Sequence, residues 1–167
     1  RIDRVKKRMD KFGVKVRKMN FDQFDQELKE LYELSLTCFQ NNFLYSSISF
    51  DEFYQMYHLI PKYADKDLSW VALNNENQMV ALLLSIPDYY DINKEGVMIK
   101  TIAGISNREL AGVASIYMAS VMHQKSFEKG YKKVYHALMY KANYSAKTYG
   151  GKTEVFKEYS LFGKDLK

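Results

Sequence analysis

The chain has 167 residues, 47% of them hydrophobic and 27% charged, the balance of one globular domain that can bury a core without metal or disulfide staples. Its one cysteine, Cys38, excludes an internal disulfide framework and a cysteine-based zinc site, and no apolar run reaches the roughly 18 residues of a membrane-spanning helix. The net charge of +5 is confined to one end: residues 1–18 hold nine Lys/Arg against two Asp, while the remainder is nearly neutral, with sixteen basic and eighteen acidic residues.

In that basic end Ile2, Val5, Met9 and Phe12 recur at helical spacing, so residues 1–13 read as a basic amphipathic helix or linker closed by Gly13. Residues 14–167 read as a single domain. No zinc finger, recognition-helix pattern or RNA-binding aromatic signature accompanies the charge, which argues against nucleic acid. There is no apolar leader behind the charged start, so a cytoplasmic home is the default. A chain that begins with Arg1 is also expected to be part of a longer protein.

Val14 to Met19 alternates as a short strand with one wet face. Asn20 is placed to cap a helix in which Phe21, Phe24, Leu28, Leu31, Ser35 and Cys38 keep a 3–4 spacing to about Gln40; Cys38 then reads as a small buried hydrophobe. Ser49 and Glu52 form a capping-box pair for a second helix, which Pro61 ends. Leu68–Leu73 and Gln78–Ile86 flank the polar turn Asn74-Asn75-Glu76-Asn77 as a hairpin. The second of these strands is apolar without alternation, so it should be central and covered on both faces. Val97–Ile105 is a third long strand, a helix runs from about Gly112 to Lys129, and Lys133–Met139 is a strand. A short helix at Asn143–Tyr149 and a terminal strand at Lys152–Phe162 complete a mixed α/β order.

No nucleophile elbow, phosphate-binding Walker loop or H-E-x-x-H pattern occurs, and His58, His123 and His136 lack metal-ligand spacing. His123 lies on an apolar helix face and reads as a core histidine. The informative segment is Asn107-Arg108-Glu109-Leu110-Ala111-Gly112-Val113-Ala114, between a long strand and a long helix. Small residues at a helix start let backbone N–H groups approach an anion, which the helix dipole favours.

This turn and the element order resemble the GCN5-related N-acetyltransferase (GNAT) superfamily. Its pyrophosphate turn reads Gln/Arg-x-x-Gly-x-Gly/Ala. Glu109 to Ala114 matches the last two anchors, Gly112 and Ala114, and departs at the first, where Glu109 stands and Arg108 is one residue early. Downstream, Glu128-Lys129-Gly130-Tyr131 resembles the family's helix end, and Asn143 with Tyr149 six residues later resembles its cofactor-binding Asn and its thiolate-protonating Tyr. Gly150-Gly151 follows at once, so the last helix looks short.

The resemblance implies a GNAT-type mixed, mostly antiparallel sheet with helices on both faces and a splayed central strand pair. It implies transfer of an acetyl group from acetyl-coenzyme A to a small-molecule amine or amino-acid-like acceptor, without a metal. Backbone groups of Ile102, Ala103 and Ile105 would bond the pantetheine as an added strand, and Glu109, Gly112, Val113 and Ala114 would border the pyrophosphate, with Asn143 nearby. N–H groups near Ala103 would hold the oxyanion, and Tyr149 would be the acid. Asp88, Asp91 and Glu95 are the candidate bases, with Tyr89 and Tyr90 as cleft walls. Two other readings stand: an N-acyltransferase using a longer acyl-CoA or an acyl-carrier protein, and a degenerate, non-catalytic binding module of a larger protein.

Overall fold

The apolar run in the middle of the chain organises the sheet. In the computed structural model, which describes residues 2–42, 45–139, 153–160 and 162, it forms strand β3 (Met79–Pro87), and Val80 through Ser85 are all buried. Around it stand β1 (Lys15–Lys18), β2 (Trp70–Leu73), β4 (Gly96–Gly104) and β5 (Lys133–His136). Their spatial order is β1-β2-β3-β4-β5; the first three pairings are antiparallel and β4–β5 is parallel. The polar turn between β2 and β3 closes on Asn74, whose Oδ1 accepts from the N–H groups of Glu76 and Gln78, both at 2.9 Å. Asn77 supplies the left-handed backbone (φ 59°) that such a turn needs.

The alternation of β3 divides the helices between two faces. Leu82 and Leu84 join a cluster with Phe24, Leu28, Leu31 and Leu34 of α2 (Phe24–Phe39), with Phe53, Tyr54 and Tyr57 of α3 (Phe50–Tyr57) packed against it. A fully buried Leu in such a cluster stabilises the fold by roughly 1.5–3 kcal/mol. The opposite face carries α4 (Val113–Glu128), which buries Ala114, Met118, Ala119 and Met122. The basic helix α1 (Ile2–Lys11) packs on α4, with Met9 only 3% exposed.

Local chemistry sets the helix starts. Ser49 and Glu52 make both halves of the expected capping box. Asn20 instead accepts from the N–H groups of Asp22 and Gln23, each at 3.2 Å, so the chain makes one more turn before α2 begins at Phe24. Glu27 of α2 is buried and held by a two-pronged pair with Arg17 of β1 at 2.8 and 3.1 Å, which ties helix to sheet.

Residues Arg1–Ala137 form one compact unit and Leu138–Lys167 a second. β5 ends at His136, three residues before its expected end at Met139. The expected helix at 143–149 lies outside the described residues. Within the terminal strand expected at 152–162, residues 153–160 are neither helix nor strand. No helix among the described residues is long and apolar enough to cross a membrane.

Candidate functional site

The parallel pair β4–β5 is short. It runs from Gly96 opposite Lys133 to Ile99 opposite His136, and its last link is the Ala137 N–H donating to the Ile99 carbonyl at 3.2 Å. β4 continues through Gly104, still paired with β3: Thr101 to Leu84, Ile102 to Leu83, Ala103 to Leu82 and Gly104 to Ala81. On its other side Lys100–Gly104 has no strand partner among the described residues, so the two strands fork after Ile99. Such an edge offers N–H and C=O groups to an extended ligand. Ile102 lies in this open stretch with its backbone groups on the open side; Ala103 alternates with it and aims its N–H and C=O at Leu82 of β3. Ile105 lies just past it, with its N–H committed to the Val80 carbonyl at 3.0 Å.

A bulge sits at the fork. Ser85 pairs with Ile99 and Leu84 with Thr101, leaving Lys100 as the extra residue of β4. A bulge re-aims the side chain it carries. The Lys100 ammonium stands over the Tyr57 ring of α3, 5.3 Å from its centroid. Crowding around the stem removes water from the charge and holds its pKa below the ordinary lysine value, although much of the residue remains exposed.

Beyond the open edge comes the turn singled out in the sequence. It begins one turn earlier than Gly112: Arg108–Gly112 form a π-helical turn that leads into α4. Asn107 caps it, its Oδ1 accepting from the Glu109 N–H at 2.9 Å and the Leu110 N–H at 3.2 Å, while its carbonyl accepts from Ala111 at 2.9 Å and Gly112 at 3.4 Å. The Val113 N–H bonds the Leu110 carbonyl. Glu109 is exposed, Gly112 is partly exposed, and Val113 and Ala114 are buried against the sheet. A π turn holds one residue more than an α turn. The close seat of this turn on β4 requires Gly104, where a Cβ would lie 2.6 Å from the Ala111 Cβ.

Two residues that the sequence left apart meet at the fork. His123 of α4 and His136, the last residue of β5, place their Nε2 atoms 3.0 Å apart. One ring must donate and the other accept, so at least one is neutral. Burial lowers the pKa of His123; burial and then the His123 charge push that of His136 down to about 4. Only the register that ends β5 at His136 brings the pair together, and spacing 13 residues apart in sequence gives no hint of it.

The loop carboxylates nominated as bases do not stand at the fork. Asp88, Asp91 and Glu95 precede β4, at the end where β5 begins, and strand rise puts Gly96 about 13 Å from Lys100. Each has a structural task there. Asp88 accepts from the Tyr90 N–H at 3.0 Å, Asp91 from the N–H groups of Asn93 and Glu95 at 3.0 and 3.1 Å, and Glu95 pairs with Lys132. Tyr89 donates to the Tyr63 carbonyl at 3.0 Å, and Tyr90 is fully exposed. Asn143 and Tyr149 lie outside the described residues. Cys38, expected to be buried, is half-buried at the edge of the α2 cluster, and burial pushes its thiol pKa up to about 11.

A cavity of about 70 Å³ adjoins the fork on the α2–α3 face. Its walls are mostly apolar, with Leu31, Phe53, Tyr57, Leu84 and Thr101 among them. Among the described residues no cluster of three or more His, Cys, Asp or Glu side chains is set to hold a metal.

No family model matches the chain, and no curated protein does. Solved structures do. An aminoglycoside acetyltransferase from an uncultured soil metagenomic sample, in complex with sisomicin, superposes with a TM-score of 0.62 at 18% identity, over 95% of this chain and 99% of that one. Glucosamine-6-phosphate N-acetyltransferase from Arabidopsis thaliana gives 0.60 at 15% identity, over 90% and 99%. AAC(6')-Iy in complex with the bisubstrate analogue CoA-S-monomethyl-acetylneamine gives 0.59 at 13% identity, over 92% and 99%. With a mixed sheet, a parallel final pair that forks and helices on both faces, the chain has the fold of the GCN5-related N-acetyltransferase superfamily.

Proposed function

We propose that the protein is an N-acetyltransferase that moves an acetyl group from acetyl-coenzyme A to a small primary amine. The observation that carries this reading is the open β4 edge at Lys100–Gly104, which leads directly into the Asn107-capped helix start. The edge suits an extended chain with alternating amides, as pantetheine has, and the helix start suits the pyrophosphate. Acetyl-coenzyme A, when bound, supplies a thioester carbonyl. In the transfer the amine nitrogen bonds the acyl carbon, the C–S bond breaks, and the thiolate takes up the proton that the amine loses. This chain's part is to hold and polarise. Ile102 would bond the pantetheine, Ala103 and Ile105 would hold that stretch to β3, and an N–H group near Ala103 would hold the oxyanion. Glu109, Gly112, Val113 and Ala114 would border the pyrophosphate, and Asn143 and Tyr149 keep the proposed roles of cofactor contact and acid.

Calorimetry and thermal unfolding with acetyl-coenzyme A test the proposal. Ligand at about 100 times its dissociation constant adds about 2.7 kcal/mol, a rise in Tm of roughly 5–10 °C for a chain of this size. Gly112→Glu should abolish the rise and leave the apo Tm in place. Absence of heat and of any Tm shift at millimolar ligand refutes the proposal. A non-catalytic binding module is the second reading, favoured by the exposed Glu109 carboxylate at the helix start where the phosphates would lie; binding without turnover across a panel of amines supports it.

A further inference from the structure

The acceptor class can be argued from the α2–α3 side of the fork. Lys100 is the first residue of β4 beyond the last β4–β5 pair, and the bulge sets it apart from the regular ladder. Its charge stands over Tyr57, and among the described residues no carboxylate pairs with it. Tyr57 and Thr101, the residue after Lys100, both line the 70 Å³ cavity. At about 70 Å³, roughly half of the ~150 Å³ that admits benzene, the space takes a small branched aliphatic group and no aromatic ring. The polar Ser35 on its wall is already satisfied, donating to the Tyr32 carbonyl at 2.7 Å. The cavity therefore asks for apolar matter, and the cation beside it asks for an anion.

Resting on the acetyl-transfer reading above, we propose that Lys100 and this cavity form the acceptor site, and that the acceptor is an amine carrying both an apolar group and a carboxylate, as an apolar α-amino acid does. The apolar group fills the cavity between Phe53, Tyr57 and Leu84. The carboxylate pairs with the Lys100 ammonium where it stands beside the Tyr57 ring. The same cation disfavours the ammonium form of the acceptor and favours the neutral amine, which is the nucleophile. A polycationic amine such as sisomicin is repelled at this position.

The test is calorimetric titration of the full chain, saturated with coenzyme A, with L-leucine, L-leucinamide, glycine and sisomicin, on wild type, Lys100→Gln and Lys100→Arg. Thermal melts confirm that both variants fold. Leucine should bind at least tenfold more tightly than leucinamide or glycine, and sisomicin should not bind. Lys100→Gln should weaken leucine at least tenfold without weakening leucinamide, and Lys100→Arg should keep most of the leucine affinity. Equal affinity for leucine and leucinamide overturns the proposal, as does an unaltered Lys100→Gln. Binding of coenzyme A with no binding of leucine overturns it and leaves acetyl transfer standing. Octanoyl-coenzyme A binding more tightly than acetyl-coenzyme A overturns it by giving the cavity to the acyl chain. Failure of coenzyme A to bind at all overturns both.

Discussion

Replacing His136 with Gln should flatten the acid limb of the protein's stability. The unfolded chain protonates this histidine once the pH falls below about 6.5, the folded chain only near 4, because burial and the neighbouring His123 disfavour the imidazolium. Between those values unfolding takes up a proton, so acid favours the unfolded chain: the stabilising term is complete above pH 6.5 and is lost as the pH falls towards 4. Taken at face value, the two pKa values give about 2 kcal/mol lost between pH 7.5 and 5.0. Solvent reaches part of the ring, and this reduces the figure to about 1 kcal/mol. Urea unfolding at the two pH values measures it. With a slope of roughly 2 kcal/mol/M, the wild-type midpoint should fall about 0.5 M further than that of the variant. Parallel changes in the two proteins would refute the argument and mean that the His123–His136 contact tolerates a proton.

Gly104→Val should destabilise the fold by about 1–3 kcal/mol, read from urea unfolding, because its Cβ meets the Ala111 Cβ at 2.6 Å and neither backbone can yield without moving the π turn off β4. Glu109→Gln should tighten acetyl-coenzyme A binding about threefold to tenfold at low ionic strength and less in high salt, since an exposed carboxylate at the helix start repels phosphate through a screened field; equal affinity in calorimetry would place Glu109 away from the phosphates.

The fold was legible where side-chain periodicity decides it. Val80–Ser85 announced a strand covered on both faces, Ser49 with Glu52 announced a helix start, and Asn74–Asn77 announced a hairpin. The fork was legible only through resemblance, since nothing in Lys133-Val134-Tyr135-His136 says that pairing stops there. Three parts of the site were hidden for one physical reason: they depend on register. The bulge at Lys100 comes from a one-residue slip between β3 and β4, the His123–His136 contact from where β5 ends, and the π turn from how the chain leaves β4 for α4. The loop carboxylates misled because clustering in sequence says nothing about which end of β4 they occupy. Asp88 and Asp91 bond the backbone of their own loop and Glu95 pairs with Lys132, as loop acids commonly do.

The cap on Asn107 bears on whether the helix start can still serve as an anion site. Its side chain already accepts from two of the N–H groups that a pyrophosphate would use. A neutral cap of this kind is worth about 1 kcal/mol. Hydrogen bonds to a charged phosphate oxygen are roughly twice as strong as neutral ones, and the helix dipole adds about 0.3–1 kcal/mol for an anion at this end. On the proposed reading a phosphate oxygen would compete with the Asn107 oxygen for these amides. The cap also has a use in the free protein. The π turn has poorer local geometry than an α turn, and without a partner for the Glu109 and Leu110 amides it would fray. If the proposed cofactor binds here, Asn107 would keep those amides aligned before it arrives and so lower the ordering cost of binding.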